Sequence, residues 1–280
     1  MTDVMDPQPK QPKKKSDLLI RFLSSIVLGP PVLAAVYFGG LYSSTLILFC
    51  ACILAWEWAN LCGRGSLERL GLLLIASVTS VILIGVLGHF QLALLITFVA
   101  TCVFLALKLT VYRDTENTLW YVFGSLYISM SSLSLLWIRN SSESGLYTIF
   151  WVLFVVWATD IGAYFSGRKF GGPKIAPAIS PNKTWSGLFG GMVSAAIVSY
   201  VFAQWINNFA GWELAIAGAL LAVVSQAGDF FESHVKRTFD AKDSSKLIPG
   251  HGGLFDRVDG LLACSIVVAG YTFFSSGIGF

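Results

Sequence analysis

Apolar runs of roughly membrane-crossing length follow one another along the whole chain, separated by short polar breaks. They lie at Leu18–Gly39, Leu41–Asn60, Leu70–Gly88, Leu92–Val111, Leu119–Ile138, Leu146–Phe165, Gly187–Ile206, Glu213–Phe230 and Leu261–Phe280. A helix needs about 20 such residues to cross the hydrocarbon core, whereas a barrel strand alternates over about 10. That alternation is missing, so the pattern predicts an all-α, polytopic transmembrane protein of about nine spans. Pro30 and Pro31 fall inside the first run and are expected to kink it, which membrane helices tolerate when neighbours satisfy the freed carbonyls. That run is too long for a signal-peptide core and no clear cleavage site ends it, so it reads as an uncleaved span. Residues 1–17 are polar, proline-bearing and basic, and are expected to form a disordered tail. The remainder, 18–280, reads as a single transmembrane domain, with N-terminal spans over 18–138 and a chemistry-bearing half over 146–280.

Composition supports the pattern: 55% of the 280 residues are hydrophobic and the mean hydropathy is +0.70, which excludes one or two soluble domains. The net charge of +3 says little, but its distribution decides the orientation. With nine spans, every Lys and Arg except Arg139 falls on the side that carries the N-terminus. The positive-inside rule then makes the N-terminus cytoplasmic, together with the polar loops 166–186 and 231–260. The five cysteines lie mostly in apolar runs and no His or Cys cluster completes a metal site, so they read as reduced, lipid-buried residues.

One interruption is chemically out of scale. In a chain that is only 12% charged, Ser225–Gly260 gathers Lys236, Arg237, Lys242, Lys246 and Arg257 with Asp229, Glu232, Asp240, Asp243, Asp256 and Asp259. It also holds His234 and His251. On a helix, Asp229, Glu232, Ser233 and Lys236 fall at i, i+3, i+4 and i+7 and share a face. A salt-bridged helix end would explain that face; so would a carboxylate site at the membrane edge, where acidic groups need a cation, a cavity or a partner. Pro249, Gly250, Gly252 and Gly253 then make a loop whose backbone N–H groups can approach phosphate. Carboxylates, a glycine-rich loop and Lys/Arg are the inventory for a nucleotide with Mg²⁺. No GxxxxGK[ST] stretch is present, so a Walker-type NTPase is not supported.

The loop between the sixth and seventh runs adds Arg168, Lys169, Lys174 and Lys183. The positive-inside rule accounts for lysines there, but not for the accompanying glycines and prolines. Asp160 lies within an apolar run and is a functional candidate on that ground. Glu57, between Trp56 and Trp58, reads as a helix-end carboxylate at the interface, outside the site.

The run S-H-V-K-R-T-F-D-A-K-D-S-S-K-L-I-P-G-H-G-G-L-F-D-R-V-D, Ser233 to Asp259, resembles the signature of the phosphatidate cytidylyltransferases (CDP-diacylglycerol synthases). The resemblance extends upstream through Trp157-Ala158-Thr159-Asp160, Gly162-Ala163-Tyr164, Gly167-Arg168 and Ile179-Ser180-Pro181-Asn182-Lys183-Thr184. The N-terminal half matches only in hydrophobic pattern and in Glu57-Trp58. The resemblance implies an enzyme that makes CDP-diacylglycerol and pyrophosphate from CTP and phosphatidate, at the first committed branch of phospholipid synthesis. It implies Mg²⁺ held by Asp229 and Asp256, with room for a monovalent cation such as K⁺, and charge compensation by Lys183, Lys236, Arg237 and Arg257. It further implies substrate contacts from Asp160, Arg168, Lys174, Ser180, Asn182, Lys183, Ser233, Lys242, Asp243, His251, Gly252 and Gly253. His251 reads as a loop-structuring residue, because an ionised lipid phosphate needs no base. A homodimer in a bacterial inner membrane, with a cytoplasmic active site and no nucleic-acid partner, completes the expectation. Two other classes were weighed. A CDP-alcohol phosphotransferase would need an Ala-Arg step and later spaced Gly and Asp residues that are missing after Asp259-Gly260. A transporter would place its charge near mid-membrane on broken helices rather than at helix ends.

Overall fold

The computed structural model describes residues 15–112, 117–140, 144–205 and 210–276. Among these it is helical throughout: α1 (Lys15–Phe38), α2 (Gly40–Cys62), α3 (Arg69–Val86), α4 (Phe90–Thr110), α5 (Thr118–Asn140), α6 (Gly145–Phe170), α7 (Trp185–Ala203), α8 (Gly211–Thr238) and α9 (Phe255–Ser276). Eight of them, α2 to α9, are long and apolar enough to cross a membrane; α1 contributes the apolar stretch Val27–Phe38. It runs through Pro30 and Pro31 without a break in the helix. The expected tail and Arg113, one of the basic residues behind the orientation, lie outside the described residues.

Three helix ends reach further than hydropathy alone suggests, and all three carry polar residues. Helix α6 continues to Phe170, α8 to Thr238, and α9 starts at Phe255 rather than Leu261. The end of α8 gains from Lys236 and Arg237 in its last turn, where cations oppose the helix dipole, and from a Glu232–Lys236 ion pair one turn apart. The start of α9 is extended because its N-terminal amides find carboxylate acceptors, described below. The segment 231–260 is therefore two helix ends joined by a short loop, 239–254, rather than one long loop.

The helices pack in two different ways. Helices α2 to α5 share an apolar core built on Leu54, Trp58, Leu74, Val78, Ile82, Phe104 and Ile128, which takes in Val235 and Phe239 around the end of α8 and Phe255 and Leu262 of α9. Helices α6, α7 and α8 approach through small residues instead. A Cβ on Gly162 would overlap Ser194, one on Gly190 would overlap Ser166, and one on Gly218 would overlap Ser199. Lipid offers helices no hydrophobic reason to associate, so close backbone approach must supply the contact. Trp58 ties the halves together: it is 1% exposed, its Nε1–H donates to the Trp120 carbonyl at 2.8 Å, and its ring lies 5.5 Å from Phe255 and 6.0 Å from Phe231. The polar ends of α2, α8 and α9 and the start of α5 are thus gathered at one end of the bundle.

Candidate active site

At that end, two carboxylate centres stand next to each other. The first is Asp256, in the first turn of α9, whose side chain is 5% exposed. Its Oδ1 meets Lys236 Nζ at 2.6 Å. Its Oδ2 accepts from Gly253 N at 2.7 Å, Ser244 N at 2.9 Å and Ser244 Oγ at 3.0 Å. Lys236 also pairs with Glu232 Oε1 at 2.6 Å. A buried acidic side chain with this many donors is a fastening as much as a reactive group: it binds the loop and the end of α8 to the start of α9.

The second centre lies one turn deeper. Asp229 and Glu232 on α8 and Asp259 on α9 each offer an oxygen, and these atoms all lie within 4.8 Å of one another. Lys183, arriving from the loop before α7, forms an ion pair with Asp229 Oδ2 and sits 4.7 Å over the Phe230 ring. Ser233 Oγ lies 3.4 Å from Asp229 Oδ1, and Asp259 Oδ1 accepts from Gly260 N at 2.8 Å. Asp160 on α6 is exposed and interacts electrostatically with Asp229, Asp259 and Lys183. Lys183 offsets Asp229 and Lys236 offsets Glu232, so the three carboxylates carry more charge than the two lysines, and hard oxygen donors in that number suit a small divalent ion.

Beside the pair expected from sequence, Asp229 with Asp256, a third carboxylate stands in the site: Asp229 groups with Glu232 and Asp259, and Asp256 and Glu232 share Lys236. The early start of α9 puts Asp256 in the first helical turn, level with the loop amides, and Asp259 one turn further in. Gly252 has φ +87° and a Cβ there would stand 2.7 Å from Asp256 Oδ2, whereas a Cβ on Gly253 would overlap Ser244 and Glu57. Both glycines leave room for carboxylates.

The other expected residues divide into two groups. Lys183, Ser233, Lys236 and Asp160 converge on the two centres. Arg168, Lys174 and Asn182 are exposed and Ser180 is half-buried, on or beside the loop 171–184, which is pinned by a bridge between Lys174 and Thr184. Arg168 accepts a neighbour in Tyr164, donating to its hydroxyl at 2.8 Å, and Thr184 caps α7 by accepting from Gly187 N at 3.1 Å. Lys242 and Asp243 are exposed on the loop 239–254. Arg237 is exposed and donates to the Ala241 carbonyl at 3.2 Å. Arg257 donates twice to the His251 carbonyl, at 2.7 and 3.0 Å, so the histidine's backbone does shape this loop.

Sequence reasoning missed Glu57. It is 0% exposed and accepts four hydrogen bonds: from Ser245 Oγ at 2.6 Å and Leu254 N at 2.8 Å on Oε1, and from Phe255 N at 2.7 Å and Ser244 Oγ at 3.1 Å on Oε2. The one available signal was an acidic residue set between two tryptophans in an otherwise apolar run.

Comparison with known proteins finds one matching family and several similar chains. Residues 19–275 match the family described as the cytidylyltransferase family. The phosphatidate cytidylyltransferase of Brucella suis biovar 1 (strain 1330) is 38% identical over 264 residues, covering 90% of this chain and 92% of the relative. That of Haemophilus influenzae is 42% identical over 135 residues, 46% of this chain and 47% of the relative. That of Rickettsia bellii is 37% identical over 174 residues, 60% of this chain and 74% of the relative.

Proposed function

The chain belongs to the cytidylyltransferase family, and from that premise we propose that it joins CTP to phosphatidate at a membrane surface, releasing pyrophosphate and forming CDP-diacylglycerol. A phosphate oxygen of the lipid attacks the α-phosphorus of CTP; a new P–O bond forms there and the α–β bridging bond breaks, with the electron pair leaving on pyrophosphate. The observation that carries the reading is the meeting of Lys183 with the Asp229, Glu232 and Asp259 carboxylates at the ends of membrane-spanning helices. A lipid headgroup and a soluble nucleotide can meet only at such a level.

The protein has little covalent chemistry to supply, so its residues act by positioning and by charge. Lys183 and Lys174 flank the site from the loop 171–184, Arg168 from the end of α6, and Lys236, Arg237 and Arg257 from the α8–α9 side. Together they offset the charge of two phosphorylated substrates. Asp229, Glu232 and Asp259 fit Mg²⁺, and Asp256 stands close enough to join them if Lys236 turns from it to a phosphate. A bound divalent ion would neutralise the polyphosphate and draw electron density from the α-phosphorus.

In this reading the site faces the cytoplasm, which the positive-inside rule applied to the basic loops supports, and the membrane is a bacterial inner membrane, which the bacterial relatives support. A homodimer is carried over from the family resemblance alone. Incubating the purified protein with labelled CTP, phosphatidate and Mg²⁺ tests the reaction directly. CDP-diacylglycerol that appears only with all three supports it, and absence of product from folded protein overturns it.

A further inference from the structure

We infer that Glu57 is a positioning residue for this transfer, so that the N-terminal half of the chain helps to set the site geometry as well as anchor it. The inference rests on the reaction proposed above. Glu57 lies near the end of α2, far in sequence from every other residue of the site, yet it holds both strands of the loop that joins α8 to α9. Ser244 and Ser245 are the outgoing strand; Leu254 and Phe255 are the return into α9.

The contact with α9 matters most. The first amides of a helix have no partner within it and are normally satisfied by a side chain close in sequence. Here Leu254 N and Phe255 N donate to Glu57, at 2.8 and 2.7 Å, and a negative group at that end also suits the helix dipole. Asp256 follows directly and Asp259 one turn later, so any shift of the helix start moves both carboxylates. Ser244 Oγ lies between Glu57 Oε2, at 3.1 Å, and Asp256 Oδ2, at 3.0 Å, and its single proton links the two. Trp58, the next residue of α2, packs against Phe255 from below.

A filler would not be a carboxylate. Removing a charged group wholly from water is costly unless its bonds are all made, and an apolar residue would fill the space without that cost. Both oxygens of Glu57 accept two hydrogen bonds, and every donor belongs to the loop or to the start of α9. The absence of a Cβ at Gly253 is part of the same arrangement, since a methyl group there would overlap Ser244 and a Glu57 oxygen.

The test compares Glu57→Gln, Glu57→Asp, Ser244→Ala and Ser245→Ala with the unaltered protein in lipid. An amide at position 57 puts an NH₂ group against an N–H donor, whichever way it is turned. Glu57→Gln is expected to lower kcat about 100-fold, the effect of a displacement of about 1 Å at a reacting centre. KM for CTP should stay within about threefold, because CTP does not touch Glu57. Trypsin should cut after Lys242 and Lys246 faster than in the unaltered protein. Glu57→Asp keeps the acceptors and should restore part of kcat. Unaltered kcat and unaltered cleavage in Glu57→Gln overturn the inference. If that variant does not fold, Ser244→Ala and Ser245→Ala decide: a fall in kcat with steady KM supports it, and full turnover in both overturns it. An unaltered protein that makes no product from CTP and phosphatidate defeats the proposed reaction instead, and the cleavage comparison still reports whether Glu57 holds the loop.

Discussion

Lys236 Nζ and Asp256 Oδ1 stand 2.6 Å apart, and this contact joins the last turn of α8 to the first turn of α9. Each member has further partners: Lys236 also meets Glu232, and Asp256 also takes the amides of Ser244 and Gly253. Asp256→Asn would leave Lys236 with one carboxylate and turn an amide NH₂ toward those N–H donors or toward the lysine. Breaking a buried pair of this kind costs about 3–5 kcal/mol where no relaxation occurs. The expected outcome is loss of CTP-dependent product together with a lower midpoint of thermal unfolding, the chain still inserting in the membrane. Near-normal turnover would remove Asp256 from the chemistry; lost turnover at an unchanged midpoint would mean that it acts on substrate or cation rather than on the loop.

The division between what was legible in the sequence and what was not follows the range of the forces. Membrane helices announce themselves through about 20 local residues each, so the nine helices of the described residues were visible, eight of them long and apolar enough to cross a membrane, but not the polar ends of α6, α8 and α9. The shared face of Asp229, Glu232, Ser233 and Lys236 was visible for the same reason. The true start of α9 was not, because Phe255 becomes helical through Glu57, which no local pattern connects to it. The grouping of Asp259 with Asp229 and Glu232 is not legible locally, because it depends on where α9 starts, whereas the pair Asp229 and Asp256 is what the family resemblance implies. Nor does any local pattern put Gly253 against a side chain from α2.

Packing of α6 on α7 gives a prediction independent of the chemistry. Gly190 faces Ser166 closely enough that any Cβ would overlap its side chain, and Gly191 faces the Thr159 carbonyl at 3.0 Å from where a Cβ would be. Gly190→Leu should therefore push the helices apart and destabilise the protein by about 1–3 kcal/mol, as overpacking does. The thermal midpoint of detergent-solubilised protein should fall. Because the loop 171–184 lies between these two helices, turnover measured well below the midpoint should fall as well. An unchanged midpoint would mean that this seam is looser than described.

Orientation can be tested by charge and by labelling. Arg139 lies at the end of α5 opposite the site, and donates to the Val36 and Tyr37 carbonyls at 2.7 and 3.1 Å, which closes the end of α1. Among the described residues, Arg64, Arg69, Lys108, Arg168, Lys169, Lys174, Lys183, Lys236, Arg237, Lys242, Lys246 and Arg257 lie at or beyond the opposite helix ends, which the positive-inside rule assigns to the cytoplasm. In a variant without native cysteines, a cysteine at position 246 should resist a membrane-impermeant thiol reagent on intact cells and react once the membrane is opened. A cysteine at position 88, on the far side, should react in both. The reverse pattern would put the site outside and defeat a reaction that needs CTP.

Which carboxylates serve the cation is decided by how activity depends on Mg²⁺. Asp229, Glu232 and Asp259 form the compact group, and Asp259 Oδ1 accepts from the Gly260 amide at 2.8 Å. Asp229→Asn and Asp259→Asn should each raise the Mg²⁺ concentration for half-maximal activity by about 10-fold or more, since groups around a metal commonly contribute 10–100-fold to its affinity. Glu232 differs, because it also neutralises Lys236, and Glu232→Gln should lower stability as well as activity. If Asp256 is instead the second ligand, Asp256→Asn will shift the Mg²⁺ dependence as far as Asp229→Asn does, and Asp259→Asn will leave it unmoved. Substrate held at saturation in each titration keeps a weaker KM from being mistaken for weaker metal binding. The comparison separates a ligand from a fastening, two roles that a pair of carboxylates three residues apart on one helix can divide between them.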